Sequence, residues 1–180
     1  MSLEQALAGR RSVRSFRADP ISPQDVSQLL WAAQGVTHDD RLRTAPSAGS
    51  LYSLELYAAG PAGTLRYIPD GHRAERWSTR DQRPDLATAG DSPEALKGAD
   101  VVFVVTVSPA RLAGKYGGRA VRYADLEAGH GTQNLLLQAV CLDLGAVPIG
   151  SFDDAAVASV LDLPVGESPR YLVAVGRPRA

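Results

Sequence analysis

Three of the seven side chains in the stretch "RRSVRSF", residues 10–16, are guanidiniums, in a chain of 180 residues whose formal net charge is −1. Arg10, Arg11, Ser12 and Arg14 combine three guanidinium forks with a hydroxyl, and charge-assisted donors of this kind can converge on one phosphate. A solvated arginine patch would have the same composition. The far terminus favours the first reading, because Arg177 and Arg179 follow directly on the strand-like run "RYLVAVG". Two basic groups at opposite ends of the chain, each pinned to the end of an element, could meet around a dianionic phosphate.

More familiar sites are missing from the sequence. There is no G-x-x-x-x-G-K-[ST] loop, no G-x-G-x-x-G after a strand, no H-E-x-x-H and no G-x-S-x-G elbow. His38, His72 and His130 are too scattered for metal-ligand spacing. The one cysteine, Cys141, excludes an internal disulfide, and in "LLLQAVCLDLG" it reads as a buried, inert thiol.

The elements that must position these residues follow from local signals. Ser2 and Gln5 form a capping box for a short helix stopped by Gly9, so the basic cluster lies after a helix. Ser22, Pro23 and Asp25 start a second helix, with Ile21 and Val26 as a hydrophobic staple and an end near Gly35. Residues 38–50 read as a loop, "LELYAAG" as a strand, and "TLRYIPDGHRAERW" as a hairpin turning at Pro69-Asp70-Gly71. Residues 78–99 are ambiguous apart from a helix start at Ser92-Pro93. "DVVFVVTV" is a strand buried on both faces. The longest helix is predicted from Tyr123 to Leu144, closed by Gly145, with an apolar second half that belongs in a core or a subunit interface. A short strand "AVPIG", a small helix "DAAVASVL" and the strand "RYLVAVG" follow. Without regular βαβ alternation the expected class is α+β, one domain over residues 1–180.

Composition restricts the partners. The charges nearly cancel and the chain is 44% hydrophobic, so there is a core to bury but no general electrostatic case for nucleic acid or an anionic membrane. No apolar run reaches the ~18 residues of a membrane span, and "MSLEQALAGRRS" lacks a signal-peptide core, so a cytoplasmic location is expected.

Taken together, "RRSVRSF", "APSAGSLYSLELY", "YADLEAGHGTQNLLLQAVCLDLGAVPIGSFDD" and "YLVAVGRP" resemble, in order and over nearly the whole chain, the nitroreductase superfamily of flavoenzymes. Within it they are most similar to the SagB/ThcOx-type branch, which includes azoline dehydrogenases acting on modified peptides. The resemblance implies a mostly antiparallel central sheet flanked by helices, with a long central helix at a homodimer interface. FMN would bind there, NAD(P)H would be the electron donor, and the substrate would be a small molecule or peptide.

Residue by residue, the resemblance gives Arg10, Arg11, Ser12 and Arg14 to the FMN phosphate and ribityl end, with Arg14 nearest the O2/N1 edge. Pro46, Ser47, Ala48, Gly49 and Ser50 match a loop lying against the flavin, although Ser50 stands where many members have Asn. Pro148, Ile149 and Gly150 match the segment passing over the ring, and Arg177 and Arg179 match C-terminal phosphate ligands. Lys115-Tyr116 matches a Lys-Tyr pair assigned to catalysis in the azoline-oxidising members, where a base would take the proton released as hydride leaves. An ordinary surface loop fits the same dipeptide. Glu127, His130, Gln133 and Asn134 on the long helix read as interface hydrogen-bonding residues, with Glu127 and His130 sharing a face. The alternative function is a flavin-binding, non-catalytic or complex-dependent subunit of a peptide-modifying system.

Overall fold

The computed structural model describes residues 1–38 and 42–179. Positions 39–41 of the predicted loop and the last residue of the basic tail lie outside the described residues. The β-branched run at 101–107 forms β4 (Val101–Val107), and every residue of it is buried. Alternate side chains feed two separate cores. Val101, Phe103, Val105 and Val107 point to one face, Val102 and Val104 to the other. β1 (Leu54–Gly60) and β6 (Ser168–Gly176) pair with β4 on either side. The hairpin of β2 (Gly63–Ile68) and β3 (Arg73–Ser78) extends the sheet beyond β1, and β5 (Gly145–Ile149) closes the far side. The order is β3-β2-β1-β4-β6-β5 and all five pairings are antiparallel.

Helices cover both faces, which is why the strands are apolar on both sides. α2 (Pro23–Gln34), α5 (Ala110–Tyr116) and α6 (Ala120–Cys141) share the first core. α3 (Arg83–Ala89), α4 (Pro93–Gly98) and α7 (Asp154–Leu161) share the second. α1 (Leu3–Gly9) carries the expected capping box, as does α2. The α+β expectation is met. Among the described residues α3 and α5 are the helices the sequence does not announce: their N-cap residues, Gln82 and Pro109, make no side-chain capping hydrogen bond. Ser92 precedes α4 as predicted but does not cap it with its side chain either.

The long helix has the predicted length but lies three residues earlier, at Ala120–Cys141. Asp143, at φ 55°, takes the left-handed conformation that a terminal glycine usually supplies. The Leu144 N–H then donates to the Ala139 carbonyl (2.9 Å). Gly145 therefore begins β5 instead of ending the helix. It is needed there for a different reason, since a Cβ would lie 2.7 Å from the Val13 side chain. Cys141 is exposed on the last turn of α6, which corrects its predicted burial. The apolar character of this helix does not all turn inward: Val121 and Leu126 are exposed on it, as are Leu3 and Leu7 on α1.

Candidate functional site

The two termini do meet. The Val13 N–H donates to the Ala146 carbonyl (3.0 Å), the Arg17 N–H to the Arg177 carbonyl (2.8 Å), and the Arg179 N–H to the Ser15 carbonyl (3.0 Å). Phe16 and Pro178 form an antiparallel bridge, and buried Phe16 anchors the crossing. Side chains from both ends consequently line one cleft of about 450 Å³, with Arg10, Arg11 and Arg179 around it and Val13, Leu136, Val140 and Ala146 as its apolar wall. Asp143 also lines it.

The other members of the basic group are placed differently. Arg14 is exposed, Ser12 bridges to Ala146 by its backbone, and Arg177 faces Asp25 at 3.9 Å. Arg177 thus braces the start of α2, outside the cleft lining. Gly145 and Ala146 line the cleft from β5, and Pro148, Ile149 and Gly150 continue that edge strand away from it. The Ile149 side chain is buried in the second core, so only its backbone is available to a ligand.

A second group gathers near the other end of α6. Residues 48–50 form a short 3-10 turn, in which Gly49 has φ 62° and Ser50 φ 54°. Tyr52 follows at φ 51°, and its N–H donates to Ser47 Oγ (2.8 Å). Left-handed backbone at non-glycine residues is unfavourable and persists only where the surroundings impose it. Lys115 and Tyr116 stand directly over this turn: a Cβ at Gly49 would lie 2.7 Å from the Tyr116 hydroxyl and 2.8 Å from Lys115 Nζ. Lys115 is exposed and Tyr116 half-buried, with its ring edge-on to Tyr123 at 4.9 Å. An ammonium, a phenol and a strained turn thus converge on one small surface.

Beside the turn, Arg43 stacks over the Tyr52 ring (4.6 Å) and donates to the Gln34 carbonyl (3.3 Å). Burial lowers its pKa, opposed by nearby tyrosines and by Glu55 and Asp70. Arg111 holds the Tyr52 carbonyl (2.7 Å) and pairs with Glu55. Trp77 packs edge-on against Tyr57, away from both groups.

The polar residues of α6 divide. Glu127 is buried, and its Oε2 accepts from Ser53 Oγ (2.7 Å) and the Ser53 N–H (3.3 Å). Asn134 donates to the Thr44 carbonyl (3.1 Å), while His130 and Gln133 are exposed. Glu127 and His130 therefore do not share a face in burial, and Glu127 and Asn134 make contacts within the chain. The signal for Glu127 was present in the sequence, because it falls in the stripe Ala120, Ala124, Ala128, Gly131, all buried. An acid within a stripe of small buried residues requires a partner.

From Tyr123, against which Tyr116 packs, to Val140 in the basic cleft is about 25 Å along the helix at roughly 1.5 Å per residue. The two groups share no lining residue. No helix among the described residues is long and apolar enough to cross a membrane.

This chain can be compared with known proteins over nearly its full length. A protein of Methanocaldococcus jannaschii with the provisional name of nitroreductase is 34% identical, covering 98% of this chain and 91% of its own. A structure provisionally named a nitroreductase, from Ralstonia eutropha, superposes with a TM-score of 0.91 at 28% identity, covering 100% of this chain and 84% of that one. The NADPH:FMN oxidoreductase of Vibrio harveyi, solved with NAD+, shares the fold at a TM-score of 0.75 and 19% identity, over 99% of this chain and 69% of that one. The nitroreductase family model matches residues 7–177, and the chain belongs to that family of FMN-dependent oxidoreductases.

Proposed function

We propose that two copies of this chain hold FMN at their shared interface and transfer hydride between NAD(P)H, or an organic substrate, and a second acceptor. The observation that carries this reading is the cleft where Arg10 and Arg11 meet Arg179 from the opposite terminus. Three guanidiniums against one carboxylate, with an apolar wall beside them, suit the phosphate and ribityl end of FMN. Ser12 and Arg14 continue this surface along the chain, and Arg177 fixes the strand end from which Arg179 projects. Pro148, Ile149 and Gly150 offer backbone groups along the neighbouring edge.

The second group then faces the ring. Pro46, Ser47, Ala48, Gly49 and Ser50 present a small, strained surface on which a planar ligand can lie closely. Ser50 has a shorter side chain than the usual Asn, so ring-edge contacts fall to the backbone here. Bound FMN supplies the hydride-accepting and hydride-donating N5. Lys115 and Tyr116 hold and move the substrate proton beside it. Because the two groups lie against opposite ends of α6, whose stretch between them is about 25 Å long, a complete site needs an antiparallel pairing of α6 between two chains. The exposed Leu3, Leu7, Val121 and Leu126 give such a pairing apolar area to bury.

Within the family we propose that the chain falls in the SagB/ThcOx-type branch, with a small molecule or a peptide as substrate. The support is the Lys115-Tyr116 pair over Gly49. The test is the visible spectrum of the purified protein, followed by anaerobic titration with NADH and NADPH. Blue-light absorption that bleaches with either nicotinamide is expected. A colourless protein that takes up no added FMN overturns the proposal. A yellow protein reduced by neither nicotinamide points instead to a subunit that works only within a peptide-modifying complex.

A further inference from the structure

We propose that Glu127 is a positioning residue that holds the strained 47–52 turn in place through Ser53. Its functional consequence rests on the reading of that turn as the flavin-facing loop. α6 approaches β1 and α2 very closely here, since a Cβ at Gly131 would lie 2.6 Å from the Leu54 side chain and 3.1 Å from the Ala33 carbonyl. The stripe that makes this contact is otherwise built of small residues and leucines. Glu127 is its one ionisable member, 2% exposed, and it spends its Oε2 entirely on Ser53.

Ser53 is the junction between turn and sheet. It is fully buried, and its carbonyl accepts from the Ser108 N–H (2.8 Å) just beyond β4. One step upstream the backbone enters the left-handed region at Tyr52, then again at Ser50 and Gly49. Such a run keeps its shape only if both ends are fixed. Ser47 Oγ fixes one end by accepting from Tyr52 N–H, and Glu127 fixes the other. The second carboxyl oxygen, Oε1, is buried without a hydrogen-bond partner. An apolar pair in place of a buried polar one is often neutral or even stabilising, so the contact is better understood as setting a position. That position is the height of Gly49 beneath Lys115 Nζ and the Tyr116 hydroxyl.

The test is amide hydrogen exchange of the FMN-free protein, with visible circular dichroism of the FMN-loaded protein as a second readout. In Glu127→Leu, residues 47–53 should exchange at least about tenfold faster while β4 keeps its protection. The dichroism of bound FMN should change as well. Glu127→Gln retains an oxygen that accepts from Ser53 and should restore both signals. Wild-type exchange of the turn in Glu127→Leu, or an equal loss in β4, overturns the proposal. If Glu127→Leu does not fold, Ser53→Ala carries the test: faster exchange confined to the turn supports the proposal, and unchanged exchange overturns it. A wild-type protein that takes up no FMN ends the proposed function, and the exchange experiment still decides the role of Glu127.

Discussion

Near the N-terminal end of α6 a strained turn is fixed from several sides beneath Lys115 and Tyr116; near its C-terminal end half-buried and exposed arginines surround a cleft. At the first, Gly49, Ser50 and Tyr52 take left-handed backbone, Ser53 is tied to Glu127, and Lys115 and Tyr116 close over the turn. At the second, Arg11 and Arg179 are exposed, and the frame behind them is held by backbone bonds between 13–17 and their partners and by buried Phe16. The contrast matches two different tasks. A proton or hydride must arrive within tenths of an ångström, which requires a preformed surface. A phosphate needs charge and several donors, which side chains can supply by adjusting when it arrives.

If this division is right, damage at the two ends should have different signatures. Replacing Arg10 and Arg11 together with Ala should produce the largest change, a fall in FMN affinity of about 10³-fold from the loss of two charged contacts. The melting temperature of the FMN-free protein should stay where it was. Fluorescence titration reads the affinity, and higher salt should weaken binding in the wild type through this same cleft. Lys115→Met should do the reverse, lowering turnover by about 10²-fold with little change in FMN affinity. A loss of flavin with turnover per bound flavin preserved would move Lys115 out of the chemistry.

Gly49→Ala should affect stability in the absence of any ligand. A left-handed alanine and a contact at 2.7 Å together should cost about 1–2 kcal/mol, or roughly 3–6 °C in melting temperature. An unchanged melting temperature would show that the turn yields to a side chain at position 49. The smallest effect is expected outside both ends, at Asp81. Hydrogen bonding to Arg83 holds its carboxyl below the ordinary aspartate range. A depressed folded-state value stabilises above the ordinary value and is lost as pH falls through the folded one. Asp81→Asn should therefore cost about 1 kcal/mol at neutral pH, and the difference from wild type should vanish in acid. Thermal melts across that range check this, and flavin binding should not respond.

The sequence announced most of the fold because most of it is locally determined. Capping boxes at Ser2 and Ser22, the β-branched run 101–107 and the turn at Pro69-Asp70-Gly71 each specify their element within a few residues. α3 was not legible because neither a cap nor an apolar period marks it. The end of α6 was misplaced because the chain uses Asp143 for its left-handed turn and reserves Gly145 for packing against Val13. The site divides along the same line. Charge and position made the Arg10–Arg179 group visible. The pairing of Glu127 with Ser53, the exposure of Cys141 and the meeting of Gly49 with Tyr116 depend on contacts between segments far apart in sequence, which no local pattern contains.

The ends of the sheet carry a further consequence. β5, the outer strand on one side, contains Pro148, which has no N–H to offer a new strand, and Ser12-Val13 already occupies part of its free edge. β3, on the other side, exposes Arg73, Glu75 and Arg76. Both borders thus carry features that oppose the edge-to-edge pairing by which antiparallel sheets aggregate. A contact through the exposed Leu3, Leu7, Val121 and Leu126 of the helical surface, by contrast, would add no strand to either edge of the sheet.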